Sequence, residues 1–382
     1  MANRVAIVGI GQTYHQGKRP DVNLVEMINE AVRAALDDAG LTLKDIDTVL
    51  SGSMELFEGH YSPDMWAVEG LGAFMKEGMF LSCGGTTGAS VTSAAFFHVA
   101  SGHCDTALAV CWQKHHEGDA RAGLRSAPYW YRELMTGPIG NFARRAQLYM
   151  ASSGAQEEHG ALMRVKADQG AMKNPYAHLR LGLTVEDVMK SRLLVYPLRL
   201  LHMCPDSSGA CALVVASAER ARKITPKPVW VEDWEVAHGG GIGYYWENPE
   251  RSYLEPLSRR IYKANGILNP AKEIDVFELY TPSAWSEFNW IEEAGLCRKG
   301  EAWKLLEKGT FGLDGEIPTN PSGSVVCTNP IGASPVLRIA EAALQVRGDA
   351  GEHQVSRPVE RAMATAYGGA GEQVITLLRK SL

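Results

Sequence analysis

The stretch from Phe80 to Cys111, FLSCGGTTGASVTSAAFFHVASGHCDTALAVC, changes texture three times. It opens apolar, turns through glycine and threonine, continues in small and apolar residues to Ala100, and closes on a second apolar run. That order is strand, glycine turn, helix from about Thr87 to Ala100, turn, strand. Two strands joined through a helix lie parallel and need helices on both faces, so the stretch predicts a layered α/β domain. It also places Cys83 just before a helix start, where the dipole favours a thiolate. Two readings of Cys83 are open: a nucleophile, or a small inert hydrophobe in a strand end.

The same grammar extends in both directions. VAIVGIG (Val5 to Gly11) is a short apolar run ending in glycine, expected to be a buried strand. In the segment after it, Leu24, Met27, Ile28, Ala31, Ala34 and Ala35 recur at helical spacing, and Gly40 stands where a C-cap belongs. IDTVLSGSM (Ile46 to Met54) is a second strand. From Gln113 to about Pro197 aromatic, arginine and methionine residues crowd together. That span predicts a covering insertion with helices near Asn141–Ser153 and Ala155–Met172, after which GACALVVAS (Gly209 to Ser217) resumes the strand pattern. A long excursion inside a compact domain is often functional. Strand, helix and strand then repeat at Val229–Gly240, Tyr253–Gly266 and Ile274–Tyr280. A long helix is expected over Asn329–Gly348, with Asn329 as its N-cap, and two strands bend at glycine within Arg361–Arg379. The chain therefore reads as one βα layout written twice, with halves 1–224 and 225–382.

Composition narrows the function classes. In 382 residues, 45% are hydrophobic and 21% charged, enough for a core of several layers. A formal net charge of -6 gives no reason to expect nucleic acid or an anionic membrane as partner. No apolar run reaches the roughly 18 residues that span a bilayer, and the opening MANRVAIVGIGQT lacks the layout of a cleavable signal. Seven cysteines without C-x-x-C spacing indicate reduced thiols and a cytoplasmic protein, and eleven histidines show no metal-ligand spacing.

Several segments carry a family likeness. NPSGSVVCTNPIGA (Asn320 to Ala333) resembles the N-P-S-G-G and G-H-P-x-G-A segments of the thiolase superfamily, and AYGGAGEQV (Ala366 to Val374) resembles its C-x-G-G-G. CPDSSGACALVVAS (Cys204 to Ser217) is similar to the S-D-G-A-A strand. FELYTPSAWSEFNWIEEAGLC (Phe277 to Cys297) is similar to the E-L-H-D-C-F-S stretch of the sterol-carrier, lipid-transfer-protein branch. The resemblance covers nearly the whole chain. It implies duplicated βαβαβαββ halves in five layers, αβαβα, and coenzyme A as part of the substrate, with no separate cofactor or metal.

The resemblance also exposes a departure. Matching the glycine of C-S-x-G to Gly88 puts Gly85 at the nucleophile position. Tyr280 stands at the histidine of E-L-H-D, Asn329 at the histidine of G-H-P, and Ala366 at the cysteine of C-x-G-G-G. A similar pattern occurs in thiolase-like aldolases of steroid side-chain catabolism, which cleave a β-hydroxyacyl-CoA by retro-aldol reaction and work with a small zinc-ribbon/OB-fold partner. The resemblance therefore implies a carbon–carbon lyase. The alternatives are a true thiolase using Cys83 and a non-catalytic acyl-CoA-binding scaffold.

The candidate site follows from this register. Tyr280 is a proton-handling group or a packed strand-end tyrosine; its reference pKa near 10 makes it a demanding base. Asn329 is a helix cap, a carbonyl-polarising amide, or both. Gly85, Thr86 and Gly88 form one glycine cradle and Gly368 and Gly369 a second, whose backbone N–H groups suit a thioester oxyanion. The rival role of these glycines is only to permit tight turns. His115, with His116 and Glu117 after a strand end, is a candidate base or half of a surface histidine pair. Cys327 is a second candidate acid/base thiol. The aromatic and methionine cluster Tyr129–Met150 is an acyl pocket, core or interface. A two-fold homodimer is expected to pair through the strand near Phe80–Cys83, and a zinc-ribbon/OB-fold partner to complete a heterotetramer.

Overall fold

In a computed structural model, the described residues are 3–119, 137–239, 252–368 and 371–381. Strands are numbered in chain order: β1 Val5–Gln12, β2 Thr48–Gly52, β3 Glu77–Leu81, β4 Thr106–Lys114, β5 Leu193–Val195, β6 Leu198–Arg199, β7 Ser208–Ser217, β8 Val229–Ala237, β9 Val276–Glu278, β10 Arg361–Tyr367 and β11 Gln373–Arg379. Among the described residues nine of these form one sheet in the order β3-β2-β4-β7-β1-β8-β11-β10-β9, and β5-β6 form a separate hairpin. β2 runs parallel to β3 and β4, and β9 parallel to β10. The N-terminal half supplies β3-β2-β4-β7-β1 and the C-terminal half β8-β11-β10-β9. They join where β1 pairs antiparallel with β8.

Side-chain alternation shows how this sheet becomes layers. In β1, Val5 and Ile7 face one core and Ala6 and Val8 another, as the two-residue period of a strand dictates. The Ala6/Val8 side packs on Met27, Ile28 and Val32 of α1 (Leu24–Ala39). The Val5/Ile7 side packs on α2 (Thr87–Ala100), through Val91 and Phe96, and on α7 (Ser334–Arg347), through Val336 and Leu337. That middle core also receives Val276, Ala362 and Ala364 of the C-terminal strands. Phe277, Met363, Ile375 and Leu377 face outward, onto α5 (Leu254–Ala264) and α6 (Ala284–Glu293). Helix, sheet, helix, sheet, helix is the expected five-layer order.

Within the insertion, α3 (Gly137–Ser153) and α4 (Glu157–Lys173) are the two expected helices, shifted by a few residues. Phe142 and Tyr149 are buried in the outer core of the C-terminal half. Tyr149 stacks on Phe288 at 5.2 Å and donates to Glu292 at 2.7 Å. These residues of the aromatic cluster are core; Tyr129 and its neighbours up to 136 lie outside the described residues. Asn329 is not the N-cap of α7: the helix starts at Ser334, with Ala333 as cap and Pro335 in the first turn. A proline fits that first turn because its missing N–H would have no helical partner there. Asn329 is thereby freed for the site below. No helix of the described residues is long and apolar enough to cross a membrane.

Candidate active site

Two groups of residues meet where α2 and α7 cross. A β-carbon on Gly88 would lie 2.7 Å from the Val336 nitrogen and 3.0 Å from the Gly332 oxygen. Gly88 is thus glycine because two helix N-termini touch there, which is a packing role.

Tyr280 is set by the motif around it. The Glu278 carboxylate, fully buried, accepts from Arg338 Nη1 at 2.5 Å and from Ser322 Oγ at 2.8 Å. Asn320 Oδ1 accepts from the Leu279 N–H at 2.6 Å, and Thr365 Oγ1 from the Tyr280 N–H at 2.9 Å. Asn320, Gly323 and Ser324 all carry positive φ, at 54°, 91° and 57°. The NPSGS turn therefore adopts a left-handed path that two non-glycine residues reach only at a cost. In return it ties α7 to the end of β9. Tyr280 is 2% exposed, and burial pushes its hydroxyl above the ordinary phenol range; Cys204 adds to this, Arg338 and a hydrogen bond with Ser334 oppose it. It is a neutral phenol, suited to donate a hydrogen bond and poorly suited to be a resting base.

Asn329 is held on all sides. Its Oδ1 accepts from Ser334 Oγ at 2.8 Å, its Nδ2 donates to Cys204 Sγ at 3.3 Å, and its N–H donates to Ser207 Oγ at 3.0 Å. Tyr280, Ser334, Asn329 and Cys204 thus form one connected cluster. His115 borders it: Nε2 accepts from the Ile331 N–H at 3.5 Å, and its ring packs edge-on against Phe57. The His115/His116 pair is not a surface pair, because His115 is buried. Burial holds its pKa down at about 4, against a raising effect of Asp206, so it is neutral at pH 7. His116 turns elsewhere, to Ser208 Oγ at 3.1 Å.

The glycine turn forms the other group. A β-carbon on Gly85 would lie 2.6 Å from the Tyr367 carbonyl oxygen, so the position matched to the nucleophile has no room for any side chain. The two glycine segments touch there. Their N–H groups are largely occupied: Thr86 donates to the Cys83 oxygen at 3.3 Å, Thr87 to the Gly84 oxygen, and Gly368 to the Glu372 oxygen at 2.8 Å. A cradle of free donors through Thr86 and Gly368 is therefore not what the backbone presents. Gly369 lies outside the described residues. Beside these glycines stands a group the sequence did not single out. Glu372 Oε2 accepts from Thr86 Oγ1 at 2.5 Å, and its side chain is 13% exposed.

Neither candidate thiol is activated. Burial and the Glu372 carboxylate raise the pKa of Cys83, with only Ser90 opposing. Cys327 is fully buried, accepts from Arg164 Nη1 at 3.3 Å, and is pushed up to about 11 by burial. Cys204 and Ser334 were not singled out in the sequence either; only the fold brings them to Asn329.

Comparisons with known proteins bear on the family and the fold. Residues 258–380 match the family model described as Thiolase C-terminal domain-like. An acetyl-CoA acetyltransferase of Methanothermobacter thermautotrophicus is 30% identical over 379 residues, 96% of this chain and 97% of that one. A 17-hydroxy-3-oxo-4-pregnene-20-carboxyl-CoA lyase of Mycobacterium tuberculosis is 29% identical over 352 residues, 85% and 86% of the two chains. Among solved structures, a chain of an Ltp2-ChsH2(DUF35) aldolase superposes with a TM-score of 0.82 at 25% identity, covering 99% of this chain and 98% of that one. The chain belongs to the thiolase superfamily, in the branch that also holds these lyase and aldolase chains.

Proposed function

We propose that this chain cleaves a carbon–carbon bond in a β-hydroxyacyl-CoA by retro-aldol reaction, without a cysteine nucleophile. The observation that carries the reading is Gly85, which the Tyr367 carbonyl leaves no space to exchange for cysteine. The chemistry of Tyr280 and Asn329 points the same way. Both are buried donors fixed by neighbours, suited to hydrogen-bond a thioester oxygen that becomes an enolate. The relatives' names include a CoA lyase and an aldolase, which supports the same class of reaction. The competing thiolase reading has the acetyltransferase relative in its favour and needs Cys83 as nucleophile.

Cys83→Ala separates the two. The lyase reading expects near-normal turnover and a stability loss of about 1 kcal/mol, from a small cavity. Complete loss of activity with the fold intact, and a persistent acyl adduct on Cys83 in the intact mass of the parent protein, would establish the thiolase instead.

The assembly we propose is a homodimer, joined by a small zinc-ribbon/OB-fold subunit. Among the described residues β3 lies at the sheet edge with unpaired backbone groups, and Trp66, Phe74, Met75 and Met79 are exposed close to it in sequence. The aldolase neighbour is an Ltp2-ChsH2(DUF35) assembly, in keeping with such a subunit. Light scattering at micromolar concentration is expected to give a dimer; a fully active monomer would remove this part of the proposal.

A further inference from the structure

The glycine segments enclose an acid where the superfamily resemblance places a nucleophile. We propose that Glu372 is the catalytic base of this site, taking the proton of the substrate β-hydroxyl; the inference rests on the lyase reading above.

Three observations place it. Glu372 follows the tight turn between β10 and β11, where Gly368 donates to its backbone oxygen at 2.8 Å and Gly371 to the Gly368 oxygen at 3.0 Å. That turn folds its side chain back over the glycine pair: a β-carbon on Gly368 would lie 3.0 Å from Glu372 Oε2 and 3.4 Å from Thr86 Cγ2. Gly85 abuts Tyr367 from the other side, so carboxylate and vacated nucleophile position share one corner. Second, Thr86 anchors one oxygen. Its hydroxyl lies 2.5 Å from Oε2 and 2.7 Å from the Cys83 carbonyl, and its single proton serves the carboxylate as the stronger acceptor. Third, among the described residues the partner of Oε1 is a distant one, His238 Nε2 at 3.6 Å on a mostly exposed side chain. One oxygen is fixed by Thr86 and the other lies beside an exposed imidazole, the arrangement of an oriented base. The titratable neighbours are Cys83, whose pKa the carboxylate raises, and His238.

The step balances without a co-reactant. The Glu372 carboxylate takes the β-hydroxyl proton, and the O–H electron pair forms the new carbonyl at Cβ. The Cα–Cβ bond breaks and its pair passes to Cα as the thioester enolate. The protonated carboxyl then returns its proton to Cα, giving a carbonyl product, an acyl-CoA and the original carboxylate. A neutral Tyr280 is no obstacle here, because the proton acceptor is a different group.

Glu372→Gln keeps the acceptor oxygen for Thr86 and the turn, and removes only the basicity. With 3-hydroxy-3-phenylpropanoyl-CoA as probe, full-length enzyme is expected to release benzaldehyde. The variant should lose about 100-fold in kcat with KM nearly unchanged. Formate should restore part of the activity of Glu372→Ala, a readout that a purely structural role would not move. Equal thermal unfolding of parent and variants keeps a folding defect out of the result. If the parent cleaves the probe and Glu372→Gln cleaves it equally well, Glu372 is only a turn anchor and this inference falls while the lyase reading stands. If the parent instead consumes only β-ketoacyl-CoA with free CoA, both fall.

Discussion

Tyr280→Phe lowers turnover of a β-hydroxyacyl-CoA by a factor between about 10² and 10⁴, the range expected when one positioned proton-handling group is lost. The ring keeps its place, since phenylalanine fills the same buried volume between β9 and α7. The hydroxyl alone is removed, and with it the hydrogen bond to Ser334. A single buried hydrogen bond contributes about 1 kcal/mol, so the unfolding midpoint moves by only a few degrees. Because burial keeps the phenol neutral, the loss falls on kcat at every pH from 6 to 9, a range set by the reference phenol pKa near 10. Stopped-flow turnover and calorimetry on the same preparation check both halves. Near-normal turnover would remove Tyr280 from the mechanism, and a large stability loss would make it a structural residue.

Gly85→Cys does not create a thiolase. The register with the superfamily suggests that one substitution would restore the missing nucleophile, and the backbone forbids it. A β-carbon 2.6 Å from the Tyr367 carbonyl oxygen must push the hairpin end away, because the obstacle is main chain. Overpacking of this kind costs about 1–3 kcal/mol. Moving Tyr367 also moves Gly368 and Glu372, and a displacement of about 1 Å in a site can cost 10²-fold in rate. The expected outcome is a less stable protein that cleaves β-hydroxyacyl-CoA at least about 100-fold more slowly and shows no acyl adduct on the new cysteine. An adduct with CoA-dependent turnover would mean that the corner is more accommodating than its geometry.

Much of the fold was legible because it depends on patterns the sequence states locally. The run Thr87–Ala100 follows a glycine turn and is helical over those residues. The apolar runs at Val5–Gly11 and Ile274–Tyr280 mark strands buried on both faces. The site was legible only in part, for reasons of geometry. Asn329 looks like a cap because asparagine before proline opens many helices, but the helix starts at Ser334, where Pro335 gives it a better first turn. Gly85 and Gly88 read alike as cradle glycines; one faces a carbonyl across a hairpin and the other a second helix. Neither contact is local in sequence. Glu372 carries no motif at all, and only the turn at Gly368–Gly371 brings its carboxylate to Thr86, 286 positions away. His115 was weighed against a surface role, and burial beside Phe57 decided otherwise.

The claim that no cysteine nucleophile operates here is tested most directly by CoA stoichiometry. The protein is offered 3-hydroxy-3-phenylpropanoyl-CoA and the matching β-ketoacyl-CoA in parallel, with free CoA varied from none to saturating. Thiol titration follows free CoA while the carbonyl and acyl-CoA products are counted. The account predicts cleavage of the hydroxy substrate at a rate independent of free CoA, with none consumed. Turnover of the keto substrate alone, consuming one free CoA per bond broken, would contradict it.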